Sequence, residues 1–198
     1  MALTLFALLV FAWLAVSVWS GSAVFLDEPI RSAVHSLASP ALTAVMRVVT
    51  NLGARAFLIP AGIVAAALLL WNRRRREAAL LGAAVLGGTL VSEALKVLFR
   101  RARPDPFFGF EAPHTYAFPS GHAVSSVCFY CVLALLLAQR PRSRGARAAL
   151  WTVAVALAGL VGLSRVYLGV HYPSDVLGGY ALAVVWVAAV RALLPMRP

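Results

Sequence analysis

Carboxylates are scarce in this sequence, with 7 Asp and Glu against 18 Lys and Arg in 198 residues. A cage for a hard cation needs several oxygen ligands. Asp105, Glu111 and Asp175 are the candidates in the second half of the chain, too few and too scattered, so no metal is expected. Cysteine is nearly missing. Cys128 and Cys131 lie three apart inside an apolar run, where thiols on one face of a buried helix act as small hydrophobes. A structural zinc site takes four ligands, and no second pair exists. Charge of either sign is thin: 13% of residues are charged and 62% apolar, where soluble domains hold about 25% and 45–50%. That difference excludes a large soluble domain. No period-2 alternation suggests a barrel. No internal repeat marks a transporter built from inverted halves. The basic residues do not follow a helix face with interleaved aromatics, which argues against nucleic acid as a partner.

What the sequence does have is long charge-free runs. They are Ala2 to Leu26, the stretch between Arg55 and Arg73, that between Glu77 and Lys96 (broken only by Glu93), Ala123 to Gln139, the stretch between Arg147 and Arg165, and Val176 to Val190. Crossing a bilayer takes about 20 residues, and backbone in lipid must satisfy its own hydrogen bonds, so each run predicts a helix. The first run lacks a basic start and exceeds the apolar part of a signal peptide, so it reads as a retained span. The expected fold is therefore all-α, a polytopic membrane bundle of six transmembrane helices in one domain, residues 1–198. Cytoplasmic loops carry the excess of Lys and Arg. Arg73 to Arg76, the group Arg140, Arg142, Arg144 and Arg147, and the pair Arg191 and Arg197 then fall on one side, which places both termini in the cytoplasm. Between Pro29 and Val49 apolar positions alternate with Arg31, His35 and Arg47. This pattern predicts amphipathic helices lying in the interface, separated at Pro40.

Four arginines break that orientation rule: Arg100, Arg101, Arg103 and Arg165 fall on the outer side, near Lys96, the single lysine. An anionic ligand would account for them. The residues form three clusters. In the first, Lys96 and Arg103 are seven apart, two helical turns, with Pro104 closing the helix. The second, Pro119-Ser120-Gly121-His122, opens a span and leaves backbone N–H groups free for an anion. The third runs from Ser164 and Arg165 to His171 and Asp175, four residues on, within reach of one ring nitrogen. All three lie at the outer ends of their spans.

Lys96-x6-Arg103-Pro104, Pro119-Ser120-Gly121-His122 and Ser164-Arg165-x5-His171-x3-Asp175 together resemble the tripartite signature of the type-2 phosphatidic acid phosphatase family, whose superfamily includes bacterial acid phosphatases and vanadium haloperoxidases. The motifs occupy residues 96–104, 119–122 and 164–175, in order and without departure. The resemblance implies a lipid phosphate or diphosphate phosphatase of the bacterial inner membrane, working from the extracytoplasmic face without cofactor or metal. It implies His171 as nucleophile, Asp175 as its orienting carboxylate and His122 as general acid and base. Lys96, Arg103, Ser120, Gly121 and Arg165 would hold the phosphate. Among substrates it points first to undecaprenyl diphosphate, in cell-wall lipid metabolism. Phosphatidylglycerophosphate or phosphatidate in phospholipid metabolism is the alternative, and so is a phosphotransferase of the same superfamily. A transporter is the rival reading from another class, since charges within spans also mark substrate paths.

Overall fold

The structure is a computed structural model and describes residues 1–22, 25–111, 113–139 and 143–195. Arg140, Arg142 and Arg197, read above as orientation signals, lie outside the described residues. Eight helices are present among those described, and no strand: α1 (Ala2–Trp19), α2 (Asp27–Ser36), α3 (Pro40–Asn51), α4 (Arg55–Trp71), α5 (Arg75–Phe99), α6 (Gly121–Leu137), α7 (Arg144–Tyr167) and α8 (Pro173–Leu193). The all-α expectation holds. Four helices, α1, α5, α7 and α8, are long and apolar enough to cross a bilayer, and a fifth span results if α3 and α4, bent by 45°, count as one. The six-span count therefore does not follow from length. α6 has only 17 residues, as does α4 taken alone, because polar residues cut both runs short at the end that carries the clusters.

Local chemistry sets the boundaries. Ser39 accepts from the Leu42 amide at 3.2 Å with Pro40 in the first helical position, so the break expected at Pro40 falls where α3 begins. The first run ends its helix at Trp19, seven residues before its apolar character does. Gly21 then takes φ 68°, a left-handed turn that glycine enters at little cost. The amphipathic segment starts at Asp27, earlier than predicted, because Asp27 and Glu28 supply negative charge to the first turn of α2. α5 runs past its apolar core at both ends, with Arg74 and Glu77 paired at its start.

Two turns widen within helices, at Ala83–Gly87 in α5 and Val127–Cys131 in α6. A π-turn leaves carbonyls unmatched. Trp186 of α8 donates its indole N–H to Ala83 O and Ala84 O, both at 3.2 Å. The approach requires glycine, since a Cβ on Gly87 would lie 2.3 Å from the Trp186 ring, and small residues let helices come close in lipid. One half of the bundle is packed with Leu80, Leu81, Phe129, Val132 and Leu136. The other half buries Ser92, Lys96, Ser126, Arg165, His171 and Asp175. Outward faces carry Leu3, Phe6, Ile63, Leu68, Leu90 and Val155, all exposed, an apolar surface suited to lipid and not to water.

Candidate active site

The polar half of the bundle encloses a cavity of about 290 Å³, lined among others by Arg55, Lys96, Arg103, His122, Arg165 and His171. Four of these side chains come from helix ends, and Arg103 and His171 come from the loops that follow α5 and α7. Arg55 starts α4, Lys96 lies in the last turn of α5, and His122 in the first turn of α6. Arg165 lies in the last turn of α7, and His171 in the link to α8. Lys96, Arg103 and Arg165, the cations predicted to hold phosphate, meet both histidines of the motifs here, from segments up to 75 residues apart in the chain.

His171 is the best-held group, with 2% of its surface exposed. Its Nδ1 faces Oδ2 of Asp175 at 3.3 Å, and its Nε2 faces Nη1 of Arg103 at 2.9 Å. A guanidinium has donors only, so Nε2 must present its lone pair and Nδ1 carries the proton toward the carboxylate. Burial first, then the charges of Arg103, Arg165 and Lys96, push His171 well below the ordinary histidine range. The ring is therefore neutral, and its Nε2 lone pair, on the cavity side, accepts from Arg103. Asp175 lies behind it, fully buried. The Tyr172 amide donates to Asp175 Oδ2 at 2.9 Å, which completes a capping box at the start of α8.

The cations are fixed by separate partners. Arg103 donates to the backbone of Thr115, Tyr116 and Val170 at 2.6, 3.2 and 2.8 Å. Arg165 donates from Nη1 to Thr50 Oγ1 at 2.7 Å, while its Nε is buried without a partner among the described residues. Lys96 donates to Glu93 Oε1 at 2.9 Å, and the same oxygen accepts from Arg55. Gly121 lies against this lysine, since a Cβ there would sit 3.0 Å from Lys96 Nζ. By position the first amides of α6 have no intrahelical acceptor, the arrangement that suits an anion.

Three expectations need correction. Lys96 and Arg103 do not share a helix face. α5 ends at Phe99, Arg100 takes φ 48°, and residues 101–104 are extended. The chain leaves the helix early because Arg101 turns inward to Asp27 and Asp175. Arg101 therefore answers buried carboxylates and not a ligand, and Arg100 donates to Val97 O at 3.2 Å on the surface. Ser120 is fully buried and does not line the cavity. Its amide donates to Asp175 O at 2.9 Å, and its hydroxyl has no partner among the described residues. Ser125 and Thr115 line the cavity instead. Arg55, Glu93 and Asp27 were missed as site residues. Glu93, the single acid interrupting an apolar run, was the available signal for the first two.

The profile of the PAP2 superfamily matches residues 77–198. Phosphatidylglycerophosphatase B of Bacillus subtilis is 34% identical over 177 residues, covering 89% of this chain and 87% of that protein. An undecaprenyl-diphosphatase of Sulfolobus acidocaldarius is 33% identical over 104 residues, about half of either chain (50% and 46%). The crystal structure of a transmembrane PAP2-type phosphatidylglycerolphosphate phosphatase from Bacillus subtilis superposes with a TM-score of 0.88 at 32% identity, covering 98% of this chain and 96% of that one.

Proposed function

Because the chain belongs to the PAP2 superfamily, we propose that it is a membrane lipid phosphatase acting through a phosphohistidine at His171. The carrying observation is the pair of contacts on that ring, Nδ1 to Asp175 and Nε2 to Arg103 in a cavity lined by cations. Nε2 attacks phosphorus, the N–P bond forms, and the bond to the leaving oxygen breaks. His122 gives that oxygen a proton. Water then attacks phosphorus, His122 takes a proton from it, and the P–N electron pair returns to Nε2. Asp175 steadies the charge on the imidazole throughout. Lys96, Arg103, Arg165 and the Gly121 amide hold the phosphoryl oxygens, and such fixed charges supply most of the stabilisation in phosphoryl transfer. Ser120 acts through packing at the start of α6.

The relatives support phosphatidylglycerophosphate and undecaprenyl diphosphate about equally as the substrate. A long apolar groove supports a lipid in either case. It has a volume of about 670 Å³, lies between α4 and α6, and is walled by Pro60, Val64, Leu68, Phe129, Leu133 and Leu137. It begins at Ala56 and Phe57, directly after Arg55 of the polar cavity. A chain lying there stays in hydrocarbon, which avoids roughly 0.8 kcal/mol for each CH₂ otherwise moved into water.

For topology we propose six spans, α1 and α4 to α8, with α2 and α3 in the interface. Leu37, Val45 and Val48 project outward from that pair and support such a placement. Arg73 to Arg76, Arg144, Arg147 and Arg191 lie at helix ends opposite the cavity, which supports a site on the extracytoplasmic face with both termini inside. Phosphate release by purified protein from a panel of lipid phosphates tests the function. Turnover of at least one lipid is expected, and turnover of none would overturn the reading.

A further inference from the structure

Arg55 lies outside the three motifs, yet it lines the same cavity as Lys96, Arg103 and Arg165. Glu93 accepts from both Arg55 and Lys96. One carboxylate among four cations leaves three positive charges uncompensated, because Asp175 lies behind His171 and is engaged by Arg101. A phosphate monoester brings about −1.5 to −2 at pH 7. The cavity therefore carries more positive charge than one phosphate satisfies.

The position of the excess is also defined. The turn before Arg55 is pressed onto the face of α6 that bears His122, where a Cβ on Gly53 would come within 3.1 Å of His122 Cδ2 and 3.0 Å of Ser126 Oγ. Arg103 sits instead on the nucleophile, at Nε2 of His171. Arg55 thus stands beside the proton donor, on the side from which the leaving group departs. It also opens a helix of 17 residues whose N-terminus has no side-chain cap, so backbone N–H groups add to the positive potential there.

We propose that Arg55, at the N-terminus of α4, forms a subsite for a second phosphate carried in the leaving group of the substrate. This inference rests on the lipid phosphatase reading and narrows it: lipids bearing two phosphates are preferred to those bearing one. The second phosphate has two possible sources, the diester of a phosphatidylglycerophosphate or the inner phosphate of a prenyl diphosphate. In either, negative charge on the departing group meets the guanidinium. Glu93 keeps Arg55 and Lys96 side by side, so that neighbouring phosphates are held at neighbouring cations.

The test compares wild type, Arg55→Gln and Arg55→Lys on phosphatidate, phosphatidylglycerophosphate and a prenyl diphosphate, with unfolding curves to establish that each variant is folded. Arg55→Gln is expected to lower kcat/KM on a two-phosphate lipid about tenfold more than on phosphatidate, and Arg55→Lys to restore part of it. A selective loss on only one of the two-phosphate lipids identifies the source and supports the subsite. Equal losses on all three lipids overturn it. If wild type releases phosphate from none of them, the phosphatase reading fails, and calorimetric binding of inorganic pyrophosphate and phosphate decides the subsite alone. Tighter binding of pyrophosphate, abolished in Arg55→Gln, supports it. Equal affinity of wild type for the two anions overturns it.

Discussion

Nη1 of Arg101 lies 2.6 Å from Oδ1 of Asp175, while the other oxygen of that carboxylate faces His171. The same guanidinium reaches Oδ2 of Asp27 at 2.7 Å and stacks over Tyr172 at 4.4 Å. Asp27 in turn accepts from the Ser174 amide at 2.9 Å and from its hydroxyl at 2.6 Å. The first residue of α2 thereby anchors the first turn of α8. Burial works against the charge of Arg101, but Asp175 and Asp27 outweigh it and hold the guanidinium above its ordinary range. Arg101 is thus a positioning residue. It keeps Asp175 charged and aimed without touching the cavity.

Arg101→Gln should therefore lower kcat with KM little changed. A hydrogen bond to a charged group is worth about 1.5–3 kcal/mol, or roughly 10- to 100-fold in rate. The acid limb of the kcat profile should move to higher pH, because Asp27 and Asp175 then face each other without a cation between them. Around this pair stand Glu28 and Arg31 of α2, Lys96 of α5, His122 of α6, Arg165 of α7, and Arg103 and His171 of the loops. None of these replaces Arg101 at Asp175 Oδ1. Arg101→Gln combined with Asp27→Asn should recover part of the rate, since the surplus carboxylate is gone. Rates over a pH series for the single and double variants check this. A uniform loss without a pH shift would make Arg101 merely structural.

The neutral, buried His171 carries a stability consequence. Its folded value lies well below the unfolded one of about 6.5. Below that pH the unfolded chain binds the proton and the native chain does not, so stability falls as pH drops and rises toward neutrality. Thermal unfolding in detergent should show Tm increasing from pH 5 to 7. His171→Asn should flatten part of that slope, and an unchanged slope would mean that the histidine titrates alike in both states.

Phosphate release should continue in EDTA and should be inhibited by vanadate, whose five-coordinate form matches phosphoryl transfer, with the fixed cations and His171 as its ligands. Assays with and without chelator check this. Loss in EDTA restored by Mg²⁺ would mean that the four cations of the cavity do not suffice.

The topology can be read by thiol labelling. With Cys128 and Cys131 replaced by Ala, Arg75→Cys should resist an impermeant reagent in intact cells and Glu111→Cys should react. The reverse pattern would put the cavity on the cytoplasmic side.

The sequence made some of this arrangement legible and hid the rest for physical reasons. Lys96, His122, Arg165, His171 and Asp175 could be read because each lies at or beside a helix end, where a charge next to an apolar run stands out. Arg103 was identified with the wrong geometry. Seven residues fit two helical turns, but nothing local says that Arg101 will leave the helix for Asp27, 74 positions away. Arg55 served only to bound an apolar run, because its partner Glu93 lies 38 positions on. Helices were marked well by hydropathy, yet α6 falls short of the usual length of a span, since its first turn is given to the site. Pairings across the bundle, not composition, carry that missing information.

The central claim is a phosphoryl group carried by His171. The most direct measurement mixes the wild-type protein with a ³²P-labelled lipid phosphate, quenches at alkaline pH within the first turnover and maps the labelled peptide. Acid-labile label should appear on His171 before water removes it, and His171→Ala should carry none and release no phosphate. Label on another residue, or phosphate release by His171→Ala near the wild-type rate, would contradict the account.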